Sequence, residues 1–90
     1  MIVRRSLKIV NEKGLHARAA AKFVEVAERF EAEAEVTKDG SAAAADSIMG
    51  LLMLVASKGT TIEVVAEGSD AEELCSALAE LIARRFYEES

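Results

Sequence analysis

Glu31-Ala32-Glu33-Ala34-Glu35-Val36, then the pair Asp39-Gly40, then Ser41-Ala42-Ala43-Ala44-Ala45: the fold turns on the reading of this stretch. By composition it is helical, because Glu and Ala are good helix formers and poor strand formers. Its period says otherwise. Glu31 to Val36 alternates strictly, which sets Glu31, Glu33 and Glu35 on a solvated face and the apolar side chains on the other. Asp39-Gly40 is a strong hairpin signal, since both residue types tolerate the positive φ that such turns require. The turn sends the chain back through Ser41 to Ala45 as a short, alanine-rich strand. Without the turn, those alanines would be read as helix.

The flanking segments complete the pattern. Ser6-Leu7-Lys8-Ile9 alternates within Ile2 to Val10, predicting a first strand with Leu7 and Ile9 inward. Asn11-Glu12-Lys13-Gly14 is a polar loop. From Ala17 to about Phe30 the spacing lengthens: Ala20, Phe23, Val24, Ala27 and Phe30 recur at helical intervals, with Lys22, Glu25, Glu28 and Arg29 between them. This predicts an amphipathic helix of about four turns. Beyond the hairpin, Asp46-Ser47 supplies an N-cap for a short apolar helix over Ile48 to Leu54. Gly50 weakens that helix, and Lys58-Gly59 is read as its stop. Thr60 to Ala66 predicts a fourth strand, with Ile62 and Val64 inward and Thr61 and Glu63 outward. Ser69…Glu72 and Asp70…Glu73 have capping-box spacing. Leu74, Leu78, Leu81 and Ile82, with Arg85 at the margin, then carry a last helix to about Phe86, closed by Phe86 and Tyr87 against the sheet edge. The order βαββαβα implies an α+β open-faced sandwich, a four-stranded antiparallel sheet with three helices on one face.

The 90 residues, 51% of them hydrophobic, are read as one domain over 1–90 with its own core. A formal charge of −5 excludes a nucleic-acid backbone as partner, because that partner selects a basic face. Cys75 is the single cysteine, so no disulfide forms within the chain; a small buried hydrophobe in a reducing cytoplasm is expected. The apolar runs fall far short of the ~20 residues that span a bilayer, and Arg4-Arg5 follow Ile2-Val3 with no apolar leader behind them. No membrane insertion is expected.

The chemistry concentrates in Gly14-Leu15-His16-Ala17-Arg18-Ala19-Ala20, which holds the only histidine. His16 falls at the N-cap of the first helix and Arg18 at its second position. Inside a helix the two would point to opposite sides. At the cap both bracket the space above the first turn, where unpaired N–H groups and the helix dipole favour an anion. The dipole and the Arg18 charge also favour neutral imidazole, the nucleophilic form that can accept a phosphoryl group. Phosphoryl oxygens would then bond to the helix N–H groups and to Arg18. Arg18 opposes the dipole at a cost of about 0.3–1 kcal/mol, a local penalty expected where function outweighs stability. Lys13 adds a second cation. No metal site is expected, since there is no second histidine and Cys75 lies far off; no serine or cysteine stands beside His16 for hydrolytic catalysis.

Gly14-Leu15-His16-Ala17-Arg18, the Asp39-Gly40 turn, and Ser47-Ile48-Met49-Gly50 with the later Lys58-Gly59 together resemble the HPr family, the histidine-containing phosphocarriers of the bacterial sugar phosphotransferase system. The resemblance covers essentially the whole chain. It implies that His16 takes a phosphoryl group on Nδ1 from enzyme I, charged by phosphoenolpyruvate, and hands it to the A domains of sugar-specific enzyme II proteins. It implies a stoichiometric carrier rather than an enzyme, with no cofactor, monomeric and cytoplasmic; a nitrogen-related or other regulatory phosphocarrier is the alternative. Ser47 matches a second, regulatory phosphorylation position, used in many relatives by a dedicated HPr kinase/phosphorylase. A phosphate at that helix start is electrostatically favourable and would place about two negative charges on a docking surface that includes Ile48, Met49 and Leu52. Leu51 and Leu54 are read as core. The chain departs from the family pattern at Ala19, where proline is usual, at Lys13, where a small polar residue is usual, and at Asp46, where many members have lysine. Alanine at position 19 preserves the site, because a first-turn proline only occupies an N–H that is unpaired anyway.

Overall fold

The structure is a computed structural model that describes residues 1–88. Its elements follow the expected order: β1 (Ile2–Lys8), α1 (Ala17–Ala27), β2 (Ala32–Lys38), β3 (Ser41–Ala44), α2 (Ile48–Met53), β4 (Thr61–Gly68) and α3 (Ala71–Ala83). The strands form one antiparallel sheet in the order β1-β4-β2-β3. The alternation that decided for strands does so through register. Leu7 opposes Ile62, Val64 opposes Val36, and Val36 opposes Ala43, so one face of the sheet is apolar except at Arg5, which lies opposite Val64 on the edge strand and reaches out to Glu72. Phe23, Leu51, Leu74 and Leu78 from the three helices join that face in the core. The opposite face carries Arg4, Glu33 and Glu35, with Arg4 paired to Glu63.

Several boundaries differ from expectation, and each has a tertiary cause. The first helix ends at Ala27, not Phe30. The chain is captured there by the turn before α3: Asp70 Oδ2 accepts from the Glu31 N–H at 2.8 Å, and Ser69 Oγ donates to the Glu31 carbonyl at 3.3 Å. Those contacts also overturn the capping boxes, since neither side chain bonds to the first turn of α3. Gly59 is not the stop of α2, which ends at Met53 with Leu54 as its C-cap and Val55 in the left-handed region at φ 52°. Gly59 instead donates its N–H to the Ile9 carbonyl at 2.7 Å in the turn that enters β4.

The last helix stops at Ala83, and Arg85, Phe86 and Tyr87 turn with φ of 55°, 55° and 59°. Left-handed backbone costs L-residues roughly 1–2 kcal/mol each. Here it is offset by complete burial of Phe86 and by Lys22 Nζ, which donates to the Phe86 carbonyl at 2.5 Å. Phe86 is buried in the core, whereas Tyr87, expected with it against the sheet edge, stands 60% exposed. The turn brings the end of the described chain back over the start of α1.

Candidate functional site

The site is built from the loop before α1. Gly14 donates its N–H to the Asn11 carbonyl at 3.1 Å, closing a turn, and adopts φ 64°. A Cβ at Gly14 would lie 2.5 Å from the Ala56 carbonyl oxygen, so only glycine fits between the loop and the segment after α2. Leu15, buried, ties the loop to that segment through its N–H to the Ala56 carbonyl at 2.8 Å. His16 follows with extended backbone (φ −80°, ψ 179°), and its carbonyl accepts from the Ala20 N–H at 2.8 Å. It is therefore the N-cap, as its sequence context predicted.

The His16 side chain makes no capping bond to its own helix. Among the described residues, the N–H groups of Ala17, Arg18 and Ala19 have no hydrogen-bond partner. Such a helix start offers donors and a positive dipole end to an anion. His16, Lys13, Arg18 and Lys22 line one open depression of about 790 Å³ above this start, so the structure brings together the three basic residues and the histidine. Arg18 is exposed and His16 is half-buried.

The far side of the ring is engaged. His16 Nε2 lies 2.5 Å from Oε1 of Glu88, the last described residue, and the same oxygen accepts from Asn11 Nδ2 at 2.8 Å. Asn11 is completely buried and donates its second amide proton to the Gly14 carbonyl at 2.8 Å, leaving its own Oδ1 without a partner. Burial pushes the Glu88 carboxyl up, but the hydrogen bonds from His16 and Asn11, with the His16 and Lys13 charges, outweigh that and hold it below the usual carboxylate range. Neither Asn11 nor Glu88 was among the expected site residues. Asn11 had only the weak signal of a turn position; Glu88 lies 72 residues from His16, and nothing local links them.

Ser47 stands at the N-cap of α2, where its Oγ accepts from the Gly50 N–H at 3.0 Å. Gly50 is closely packed: a Cβ there would lie 3.0 Å from Ser47 Oγ and 3.1 Å from Ala43 Cβ, and would press on the cap. Of the expected docking residues, Met49 is 70% and Ile48 41% exposed, whereas Leu52 is half-buried and packs against the core. Met53 and Val55, 75% and 74% exposed, extend the apolar surface instead. Leu51 and Leu54 are buried, as expected, and so is Cys75, whose thiol burial pushes up. Among the described residues, no cluster of acidic, histidine and cysteine side chains is placed to hold a metal ion, and no helix is long and apolar enough to cross a membrane.

Known proteins resemble this chain over nearly its whole length. A family model described as "PTS HPr component phosphorylation site" matches residues 3–84. The phosphocarrier protein HPr of Neisseria meningitidis is 46% identical over 87 residues, covering 97% of this chain and 98% of the relative. The phosphocarrier protein NPr of Shewanella violacea is 39% identical over 88 residues, covering 98% and 97%. Among solved structures, the HPr-C-His protein of Thermoanaerobacter tengcongensis superposes with a TM-score of 0.92 at 42% identity, covering 98% of this chain and 99% of that one.

Proposed function

The chain belongs to the HPr phosphocarrier family, and on that premise we propose that His16 is its phosphoryl acceptor, charged by enzyme I and discharged to enzyme II A domains in sugar uptake. One observation carries the assignment. His16 caps α1 by its backbone alone, leaving its ring free to react above a helix start whose N–H groups are unpaired. The Nδ1 lone pair attacks the donor's phosphorus as the donor's N–P bond breaks. The phosphoryl oxygens come to rest among the first-turn N–H groups, with Arg18 as the charge partner. These donors hold the group without enclosing it, which suits a carrier that must release what it takes. The protein is regenerated by its partners and needs no cofactor. Acting between them, it works as a monomer of one domain in the cytoplasm.

Ser47 is the proposed regulatory phosphorylation position, a substrate for HPr kinase/phosphorylase, and the exposed part of α2 the proposed docking face. Ser47 is half-buried and its Oγ already serves the helix, so a phosphate there replaces one N–H acceptor with another. Asp46, exposed beside it, repels that phosphate and sets a limit on its formation.

Purified protein mixed with enzyme I and phosphoenolpyruvate should gain one acid-labile phosphate, and H16A should gain none. Absence of uptake by the wild type, or uptake by H16A, overturns the assignment. A parallel incubation with HPr kinase and ATP, using S47A as control, tests Ser47 separately. The similarity to an NPr supports a second reading, a nitrogen-related regulatory carrier. Transfer from the phosphorylated protein to sugar-specific against nitrogen-related A domains separates the two.

A further inference from the structure

The left-handed turn Arg85–Tyr87 delivers one carboxylate to the ring nitrogen of His16 that is not needed for attack. Resting on the reading of His16 as acceptor, we infer that Glu88 is a positioning residue for phosphoryl transfer: it holds the Nε2 proton in place, which keeps the lone pair on Nδ1 and lets His16 leave as neutral imidazole. Three features make the contact a built one. Asn11 donates to the same Glu88 oxygen from a completely buried position, at the expense of an unpaired Oδ1. Lys22 holds the turn by its bond to the Phe86 carbonyl. Phe86 is buried so that Glu88 arrives on the correct side.

Before transfer the ring is neutral, with Nε2–H donated to the Glu88 carboxylate. The Nδ1 electron pair forms the new N–P bond, and the ring becomes formally cationic with its Nε2 proton retained beside that carboxylate. In onward transfer the acceptor nitrogen attacks phosphorus, and the N–P electron pair returns to Nδ1. Because Nε2 never lost its proton, the group that departs is neutral imidazole and not the far more basic imidazolate. No proton is taken up or released at either step. Other charged groups line the same depression: Glu12 and Lys13 from the loop, with Glu12 engaged by Lys58, and Arg18 and Lys22 from α1. Glu88 alone of these touches the ring.

The test compares the full-length wild type with E88Q and E88A. Gln at position 88 keeps the shape and can accept the Nε2 proton, but lacks the charge; Ala lacks both. In nitrogen-resolved NMR of the unphosphorylated protein, the ring N–H of the wild type should be slowed in exchange with water, shifted in E88Q and lost to fast exchange in E88A. In phosphoryl transfer to an A domain, both variants should be slower than the wild type, E88A more so than E88Q, because the ring is no longer held by its contact at Nε2. An unchanged ring N–H in E88A, or transfer rates in both variants equal to that of the wild type, overturns the role of Glu88. Failure of the wild type to take up phosphate instead overturns His16 as acceptor, and the NMR arm still decides Glu88 by itself. Melting curves of both variants guard against loss of fold, and E88Q, which preserves volume, carries the result if E88A is destabilised.

Discussion

At the start of α2, Ser47 turns its Oγ back onto the Gly50 N–H; at the start of α1, His16 turns its ring away from the helix and onto Glu88. Both residues hold extended backbone, and both are N-caps by the same sequence logic. The difference lies in where each side chain satisfies its hydrogen-bonding capacity. Ser47 serves its own helix and consumes a first-turn donor. His16 is satisfied from another part of the chain, so the donors of its helix remain for an anion. A cap that completes its helix is structural first, and a cap that leaves its helix incomplete creates a site.

That contrast can be broken by exchanging the roles in measurement. The largest effect should come from His16→Ala, which removes phosphate uptake entirely while lowering the melting temperature only by what the Glu88 contact contributes, since no cap bond is lost. A large fall in stability would mean that His16 is structural after all. Next is Gly14→Ala, where left-handed backbone and a Cβ pressed on the Ala56 carbonyl should together cost roughly 2–5 kcal/mol in denaturant unfolding. Ser47→Ala should cost about 1 kcal/mol by the same measurement, with uptake on His16 retained. Arg18→Ala should do the reverse on a smaller scale. Removing a cation from the first turn stabilises by about 0.3–1 kcal/mol, while transfer slows.

The smallest expected effect is in pH dependence. The Glu88 carboxyl is held below its ordinary range, so the stability it contributes is present above the unfolded-state value and is lost as pH falls through the folded one. The melting temperature of the wild type should therefore exceed that of E88Q at neutral pH, with the gap closing below about pH 4. A gap that widens on acidification would reverse the sign and remove the Glu88 carboxylate from its hydrogen bonds with His16 and Asn11.

How much of this was legible depends on the range of the interaction involved. The Glu31–Val36 alternation and the Asp39-Gly40 turn were enough for β2 and β3, because a strand's two faces and a hairpin's positive φ are written in adjacent residues. Ser47 as a cap was legible for the same reason. The capping boxes at Ser69 and Asp70 matched in spacing yet failed, because Glu31 competed for those side chains from across the molecule. Gly59 was read as a helix stop when Val55 takes that conformation, and the exposed pair Met53 and Val55 was missed because a short helix carries too few turns to show which side faces out.

By itself, then, the sequence determined the order and type of the elements, the position of His16 at a helix start, and the presence of Arg18 two residues on. All of these rest on contacts within a few residues. Only the tertiary structure decided which ring nitrogen of His16 is engaged, since that depends on burying Phe86, turning three residues left-handed and landing Glu88 between Asn11 and the ring. Spacing along a chain specifies which neighbours a side chain can reach; packing alone specifies which distant group arrives there, and on that arrival the orientation of the imidazole depends.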